Sequence, residues 1–388
     1  GNMPLNYLNL KNQITDMGST ASARDAEMRS ALEQLTAQLN EHANEIIALQ
    51  KLVEEEAARN KGLRCAVPVS EALNTHVPVN LPAPACTILA ADGSQVTPDP
   101  HGSVLYGLVN IGVFRMQPGS GLVPSQLTSS SLIYGDDLYT SGGTASEDLV
   151  NLLRDVQERE MLAQLAAAET EPVITLTDGP LELYHEPRQE QSFKQYFDKY
   201  LHALDDLAVN SVITAGYVSR PRADLVVQLI SLTRDSSPDA PGKSSYNGLT
   251  DIALFASLLA PGERSAIFRV QSRSANDYEG RKALHFFYLN VSAGGDPAFA
   301  RVEIPLWVVE NPAHIQLLHS VLVEQSRLSG SVPYPYPLLR AHEIAVVRME
   351  DRQQLNTLIE NELVRRGFPP SRKSEKQVHK DHTGRKRM

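Results

Sequence analysis

Apolar residues fall into two rhythms along this chain. Over residues 24–60 they recur at alternating spacings of four and three: Met28, Leu32, Leu35, Leu39, Ile46, Leu49 and Val53, with His42 in the same seam. That rhythm predicts one long helix with a narrow apolar stripe. Its flanks are Glu, Gln, Arg and Asn. The helix therefore reads as a coiled-coil-like arm, dimerising or antiparallel, in preference to a helix packed on its own domain. His42 reads as a polar residue that sets register rather than as a ligand. Lys61-Gly62 closes the helix, and the Pro-rich piece from Pro68 to Pro84 reads as a linker. The organisation expected is an arm over 1–67, a main domain over 68–368 and a basic, disordered tail over 369–388.

After the linker the runs shorten to strand length. Thr87-Ile88-Leu89-Ala90-Ala91 is a buried strand that ends at Asp92-Gly93, and Val173-Ile174-Thr175-Leu176-Thr177 leads to Asp178-Gly179 in the same way. A strand that carries an Asp at its end, with Gly for the sharp exit, holds a carboxylate rigidly. Residues 104–114 read as a long strand antiparallel to the first, the pair forming one edge of a mixed sheet. Residues 119–144, rich in Ser, Gly and Thr, read as loop. Ser146-Glu147-Asp148 caps a helix that runs to about Ala168. Further on, 193–207 and 251–259 read as helices, 212–218 as a strand, and 285–290 with 300–307 as a strand pair. Prolines 333, 335 and 337 stiffen the approach to a helix beginning near Leu338, and 351–366 is a last helix. The fold class is α/β, a mixed sheet core with flanking helices.

With 388 residues, 42% of them hydrophobic, the chain can bury one large core or two modest ones. Two cysteines, Cys65 and Cys86, are too few for a disulfide framework and point to a reducing compartment. No apolar run approaches the ~18 residues of a membrane span, and no basic-then-apolar leader is visible. The expectation is a soluble, cytoplasmic protein without a membrane partner. The net charge of -10 argues against a non-specific nucleic-acid coat. That argument weakens because Arg365, Arg366, Arg372, Lys373, Lys376 and Lys380 gather at one end, while carboxylates gathered around cations lower the formal charge.

The candidate chemistry lies in the two strand-Asp-Gly units and the helix between them. Glu160 shares a helical face with Leu149, Leu153 and Val156; Glu158 lies roughly opposite, near Arg154, Leu162 and Leu165. Helical pattern alone favours Glu160. Asp92, one of these glutamates and Asp178 make three carboxylates suited to divalent cations, as a metal-dependent nuclease needs. His342, in the first turns of a short helix behind the stiff Tyr334-containing lead, is a candidate for metal or phosphate contact. Arg220 and Arg222 read equally as exposed loop or as a phosphate clamp. No Gly-x-x-x-x-Gly-Lys-Ser/Thr loop is present, so any translocation must come from a partner.

Over roughly 85–376 the chain resembles the NurA nucleases. The resemblance rests on Ala91-Asp92-Gly93-Ser94, Leu176-Thr177-Asp178-Gly179-Pro180-Leu181, Thr250-Asp251 and Gly262-Glu263-Arg264-Ser265. It continues through Ala300-Arg301-Val302-Glu303-Ile304-Pro305, Tyr334-Pro335-Tyr336-Pro337-Leu338 and Ala341-His342-Glu343 to Ser371-Arg372-Lys373. It implies a ribonuclease-H-like core, a homodimer, and manganese-dependent (Mg2+ also suitable) cleavage of DNA by single-strand endonuclease and 5′-to-3′ exonuclease action. It also implies a HerA-type hexameric ATPase as partner in processing DNA double-strand-break ends. The family's carboxylates fall on Asp92, on Glu158 or Glu160, and on Asp178, and its tyrosine and histidine on Tyr334 and His342. The helix spacing of Arg154 and Glu158 matches the family's and ranks Glu158 above Glu160. Pro180, and Pro333 where glycine is usual, depart from the pattern. The alternative is a non-catalytic coiled-coil dimer subunit that docks on a DNA-translocating ATPase.

Overall fold

A computed structural model describes residues 5–102, 104–138, 147–170, 172–183, 191–235, 246 and 248–368. Ser146 and the basic tail lie outside the described residues. The chain opens with helices α1 (Tyr7–Glu41) and α2 (Ile46–Arg59), followed by strands β1 (Cys65–Pro68), β2 (His76–Val77), β3 (Thr87–Val96), β4 (Tyr106–Met116) and β5 (Ser125–Tyr134). Next come α3 (Glu147–Ala167), β6 (Val173–Asp178), α4 (Gln191–Val209), β7 (Ile213–Ser219), α5 (Leu225–Asp235) and α6 (Asp251–Phe255). Strands β8 (Arg264–Ser265), β9 (Phe268–Gln271), β10 (Leu284–Asn290) and β11 (Phe299–Pro305) precede α7 (Leu306–Val309), α8 (Pro312–Ser326), α9 (Tyr336–Ala345) and α10 (Met349–Arg365).

Among the described residues the strands form one 11-stranded sheet whose main path is β1-β9-β10-β11-β7-β6-β3-β4-β5. β3, β4 and β5 run antiparallel to one another, whereas β3-β6 and β6-β7 are parallel. An antiparallel trio joined to two parallel strands in the order β5-β4-β3-β6-β7 is the strand arrangement of the ribonuclease-H fold. Beyond β7 the sheet continues antiparallel through β11 and β10. Strands β6, β7, β10 and β11 are buried almost throughout and β3 over residues 87–91, which in β3 and β6 matches their apolar runs.

Several expectations need correcting. The long helix begins at Tyr7 and breaks at residues 42–45. Ala43 is buried there, its carbonyl accepts the Leu73 amide at 2.9 Å, and His42 Nδ1 meets Glu45 Oε2 at 2.7 Å. The seam residues Leu35, Leu39, Leu49 and Val53 are buried in the chain's own core, so this part of the stripe packs on its own domain. Residues 7–27 of α1 are exposed except for a half-buried Leu10. The Pro-rich piece is built into the sheet through β1, paired with β9, and β2, paired with β8. The Ser/Thr-rich stretch read as loop contains β5, which pairs with β4 along its whole length. It is a sheet edge with mostly exposed side chains, so no apolar alternation marks it. The β3-β4 pair is accordingly one strand in from the edge.

Candidate active site

Strand β3 does not stop at Asp92. It runs on to Val96 against β4, with Asp92 opposite Gly112 and Gly93 opposite Ile111, while its parallel partner β6 ends at Asp178. Gly93 is therefore not an exit. A Cβ there would lie 2.5 Å from Arg154 Cγ, so the missing side chain lets α3 cross the strand closely. On the neighbouring strand a Cβ at Gly112 would meet the Ala345 amide nitrogen at 2.6 Å and the Ala341 carbonyl at 2.9 Å, so α9 lies directly on β4. The Asn110 side-chain amide donates to the Ala345 carbonyl at 2.8 Å, and Ser94 Oγ donates to the same oxygen.

This seating brings His342 over Asp92, the cross-strand neighbour of Gly112. His342 Nδ1 donates to Asp92 Oδ2 at 2.7 Å, and Asp92 Oδ1 accepts the Gly93 amide at 2.9 Å. At the end of β6 the chain turns at Gly179, whose φ of 95° suits glycine. Tyr334 donates its hydroxyl to the Asp178 carboxylate, and its ring stands edge-on to Tyr217 at 5.7 Å. Asp178 is open to solvent on one side. Partial burial raises its proton affinity, the Tyr334 bond lowers it and the Asp92 charge raises it again.

Of the two helix glutamates, Glu158 is buried and Glu160 is exposed. α3 is covered on two sides, by β3 and β4 and by α4, so its buried surface is wider than one stripe. Glu158 and Arg159 fall inside that surface. Glu160 falls on the exposed side, near Lys199 and His202. Burial pushes the Glu158 carboxyl well up from its ordinary range, the charges of Asp155 and Asp92 push it further, and Arg159 and Arg154 oppose them. Arg154 donates to Gln95 Oε1 at 2.8 Å and to Asp155 Oδ1 at 3.0 Å. Arg159 donates to Thr177 Oγ1 at 3.0 Å and lies over the Tyr200 ring. Asp155, Gln95 and Arg159 were absent from the sequence reading. The spacing of Asp155 and Glu158, three apart on one helix, was the available signal for the first.

Alternation along β3 puts Asp92 on the α9 face and Gly93 on the α3 face. Asp92, Asp178, Tyr334 and His342 thus meet on one side, and Glu158 approaches from the other. Among the described residues no three His, Cys, Asp or Glu side chains close on a common point at ligand distance. The donor set nevertheless fits a hard divalent cation in chemistry and charge. It consists of carboxylate oxygens, and Asp92 raises the proton affinity of both Glu158 and Asp178, the signature of like charges in want of a counter-ion.

The NurA domain family matches residues 86–347. The chain belongs to that family. The match takes in every site residue named above, from Asp92 to His342, and supports a nuclease. The crystal structure of the NurA nuclease from Sulfolobus solfataricus is similar at 13% identity and a TM-score of 0.48, covering 88% of this chain and 99% of that one. The catalytic domain of human Endonuclease V is similar at 15% identity and a TM-score of 0.31, covering 80% and 96%. No curated protein matches. The ribonuclease-H arrangement of this NurA domain stands on its own strand order. Among the described residues no helix is long and apolar enough to cross a membrane.

Proposed function

We propose that this NurA domain is a divalent-cation-dependent DNA nuclease. Manganese is the expected ion, with magnesium also suitable, and the action is single-strand endonuclease and 5′-to-3′ exonuclease cleavage in the processing of double-strand breaks. The observation that carries the reading is Asp92, bonded to His342 and placed where its charge acts on both Glu158 and Asp178, inside the family match. A bound cation supplies Lewis-acid polarisation of the phosphate and a water of lowered pKa. Asp92, Asp178 and Glu158 would hold it, with His342 either joining them or facing the scissile phosphate. With Nδ1 donating to Asp92, the His342 Nε2 is the nitrogen left to face a substrate. Tyr334 lowers the proton affinity of Asp178 through its hydroxyl, against the burial that raises it.

The homodimer and the HerA-type hexameric ATPase belong to the same proposal. The exposed first half of α1 and the exposed edge strand β5 are surfaces open to such partners. The rival reading is a non-catalytic subunit that docks on the ATPase. The test is manganese-dependent cleavage of 5′-end-labelled single-stranded DNA by the wild type and by Asp92→Ala, with folding checked by circular dichroism. Cutting by the wild type and none by the folded variant supports the proposal. Equal cutting by both places the activity elsewhere, and no cutting by either, with the ATPase added, leaves the docking subunit.

A further inference from the structure

Strand β11 carries an ion pair whose place in the molecule the chemistry above does not use. Arg301 and Glu303 are both buried, at 7% and 2% exposure, two apart on one face of the strand. Arg301 Nη2 donates to Glu303 Oε2 at 2.9 Å. Bare charge compensation would leave the second oxygen idle. Instead, Glu303 Oε1 accepts the Leu181 amide at 3.2 Å and the Glu182 amide at 3.4 Å. Those amides belong to the turn that leaves Asp178.

The turn is placed by its neighbours on every side. Gly179 donates to the Tyr217 carbonyl at 2.8 Å, and the Leu183 amide donates to the Tyr278 hydroxyl at 2.8 Å. The Leu181 carbonyl accepts the Tyr200 hydroxyl at 2.7 Å. Gly216 of β7 pairs with Glu303 in the sheet, and a Cβ on Gly216 would lie 2.5 Å from the Gly179 carbonyl. The turn therefore crosses β7 at a residue without a side chain and reaches the carboxylate on the next strand. Behind Glu303 the chain of contacts continues. Arg301 bonds the Tyr288 hydroxyl, which donates to Asp251 Oδ2, and Asp251 Oδ1 accepts the Val226 and Val227 amides at 2.9 and 3.0 Å.

We propose that Glu303 is a positioning residue for Asp178: its carboxylate, oriented by Arg301, grips the backbone of the Asp178 turn and so fixes where that carboxylate stands. The proposal rests on the nuclease reading for its effect on rate, but the grip itself is open to measurement without any activity. Two substitutions separate the grip from charge balance. Glu303→Gln keeps one oxygen at the reach of the two amides, abolishes the charge and puts an NH2 in place of the Arg301 acceptor. Glu303→Asp keeps the charge and withdraws the oxygens by one methylene, beyond reach of the Leu181 and Glu182 amides.

The experiment measures amide hydrogen exchange at Leu181 and Glu182, thermal unfolding, DNA affinity, and kcat and KM for cleavage of single-stranded DNA. Glu303→Asp, folded, is expected to lose protection at both amides and at least tenfold in kcat, with DNA affinity unchanged. Glu303→Gln is expected to keep protection and to cleave within about threefold of the wild type, even where it melts earlier. A residue that only neutralises Arg301 gives the reverse order, with the Gln variant the poorer enzyme. That order overturns the proposal, as does loss of protection in Glu303→Asp with kcat unchanged. Failure of both variants to fold also overturns it, because Glu303 is then a residue of overall stability. If the wild type itself does not cut, the nuclease reading fails, while the exchange data still decide whether Glu303 holds the turn.

Discussion

Gly216→Ala adds one methyl group at the point where the Asp178 turn crosses the sheet. The new Cβ would stand 2.5 Å from the Gly179 carbonyl oxygen, 3.1 Å from the Leu181 nitrogen and 3.3 Å from the Pro180 carbonyl carbon. All three are backbone atoms, so no side chain can rotate away. Gly179 is bonded to Tyr217 and Leu181 to Glu303, so the turn cannot shift as a free loop. Restoring ordinary contact moves the turn by about 1 Å, and overpacking of this kind costs about 1–3 kcal/mol. The larger effect falls on chemistry, since a displacement of about 1 Å in a catalytic group costs on the order of 100-fold. The assay is cleavage of end-labelled single-stranded DNA in manganese alongside thermal unfolding. Expected are a fall of several degrees in Tm and a fall of about two orders of magnitude in kcat, with DNA affinity kept. Gly93→Ala is the informative contrast: its Cβ also comes within 2.5 Å of a neighbour, but that neighbour is a side-chain atom, Arg154 Cγ, so relief costs the Arg154 bonds to Gln95 and Asp155 and moves no backbone. It is expected to lose less stability. A Gly216→Ala protein that melts and cuts like the wild type would refute the argument that the turn is seated on β7.

Tyr334→Phe removes the hydroxyl that lowers the Asp178 proton affinity, so that affinity rises further; kcat is expected to fall most at low pH and to recover as pH rises, and superimposable pH profiles would contradict this. Glu158 has its proton affinity raised by burial and by Asp155 and Asp92, so a cation must displace a proton. Manganese affinity should therefore increase with pH, by up to about tenfold per unit while Glu158 stays protonated. Glu158→Gln should remove that slope, as calorimetry in buffers of different ionisation enthalpy will show. Asp251 is pushed by burial from 3.8 up to about 6. The folded state then binds its proton more tightly than the unfolded one, so this group's stability contribution is full below its unfolded value and is lost as pH rises through about 6, a loss of about 3 kcal/mol. Asp251→Asn keeps an acceptor for the Val226 and Val227 amides, so its stability deficit against the wild type should shrink between pH 4 and pH 7 in denaturant titrations.

The strands that carry the carboxylates were legible because they are buried on both faces and so read as unbroken apolar runs, the pattern of Thr87–Ala91 and of Val173–Thr177. Strand β5 was not, because an edge strand with exposed side chains carries neither alternation nor an apolar run. The helix seam from Leu35 to Val53 was read correctly as apolar, but spacing does not say which surface covers it, and the domain's own core does. Glu158 shows the same limit from another side. A helical wheel assumes one buried stripe, and α3 has two, so the pattern favoured the glutamate that proves exposed.

Two glycines in the carboxylate motifs have different work to do. Gly179 makes a turn, as the sequence suggested, because its φ is positive. Gly93 lies inside a continuous strand and makes room for Arg154, a reason that only the packing of α3 on β3 supplies. The same economy of space recurs at Gly112 under α9 and at Gly216 under the Asp178 turn. Asp92, Asp178 and His342 therefore owe their places to sites where a neighbouring strand or residue has no side chain. Local propensity carries no trace of that requirement. It follows that alanine at Gly112 should act on His342 as alanine at Gly216 acts on Asp178, by lifting the backbone that carries the functional group. Because the Ala345 carbonyl is also held by Asn110 and Ser94, the α9 end cannot rise without breaking both bonds, and Gly112→Ala should cost stability as well as rate.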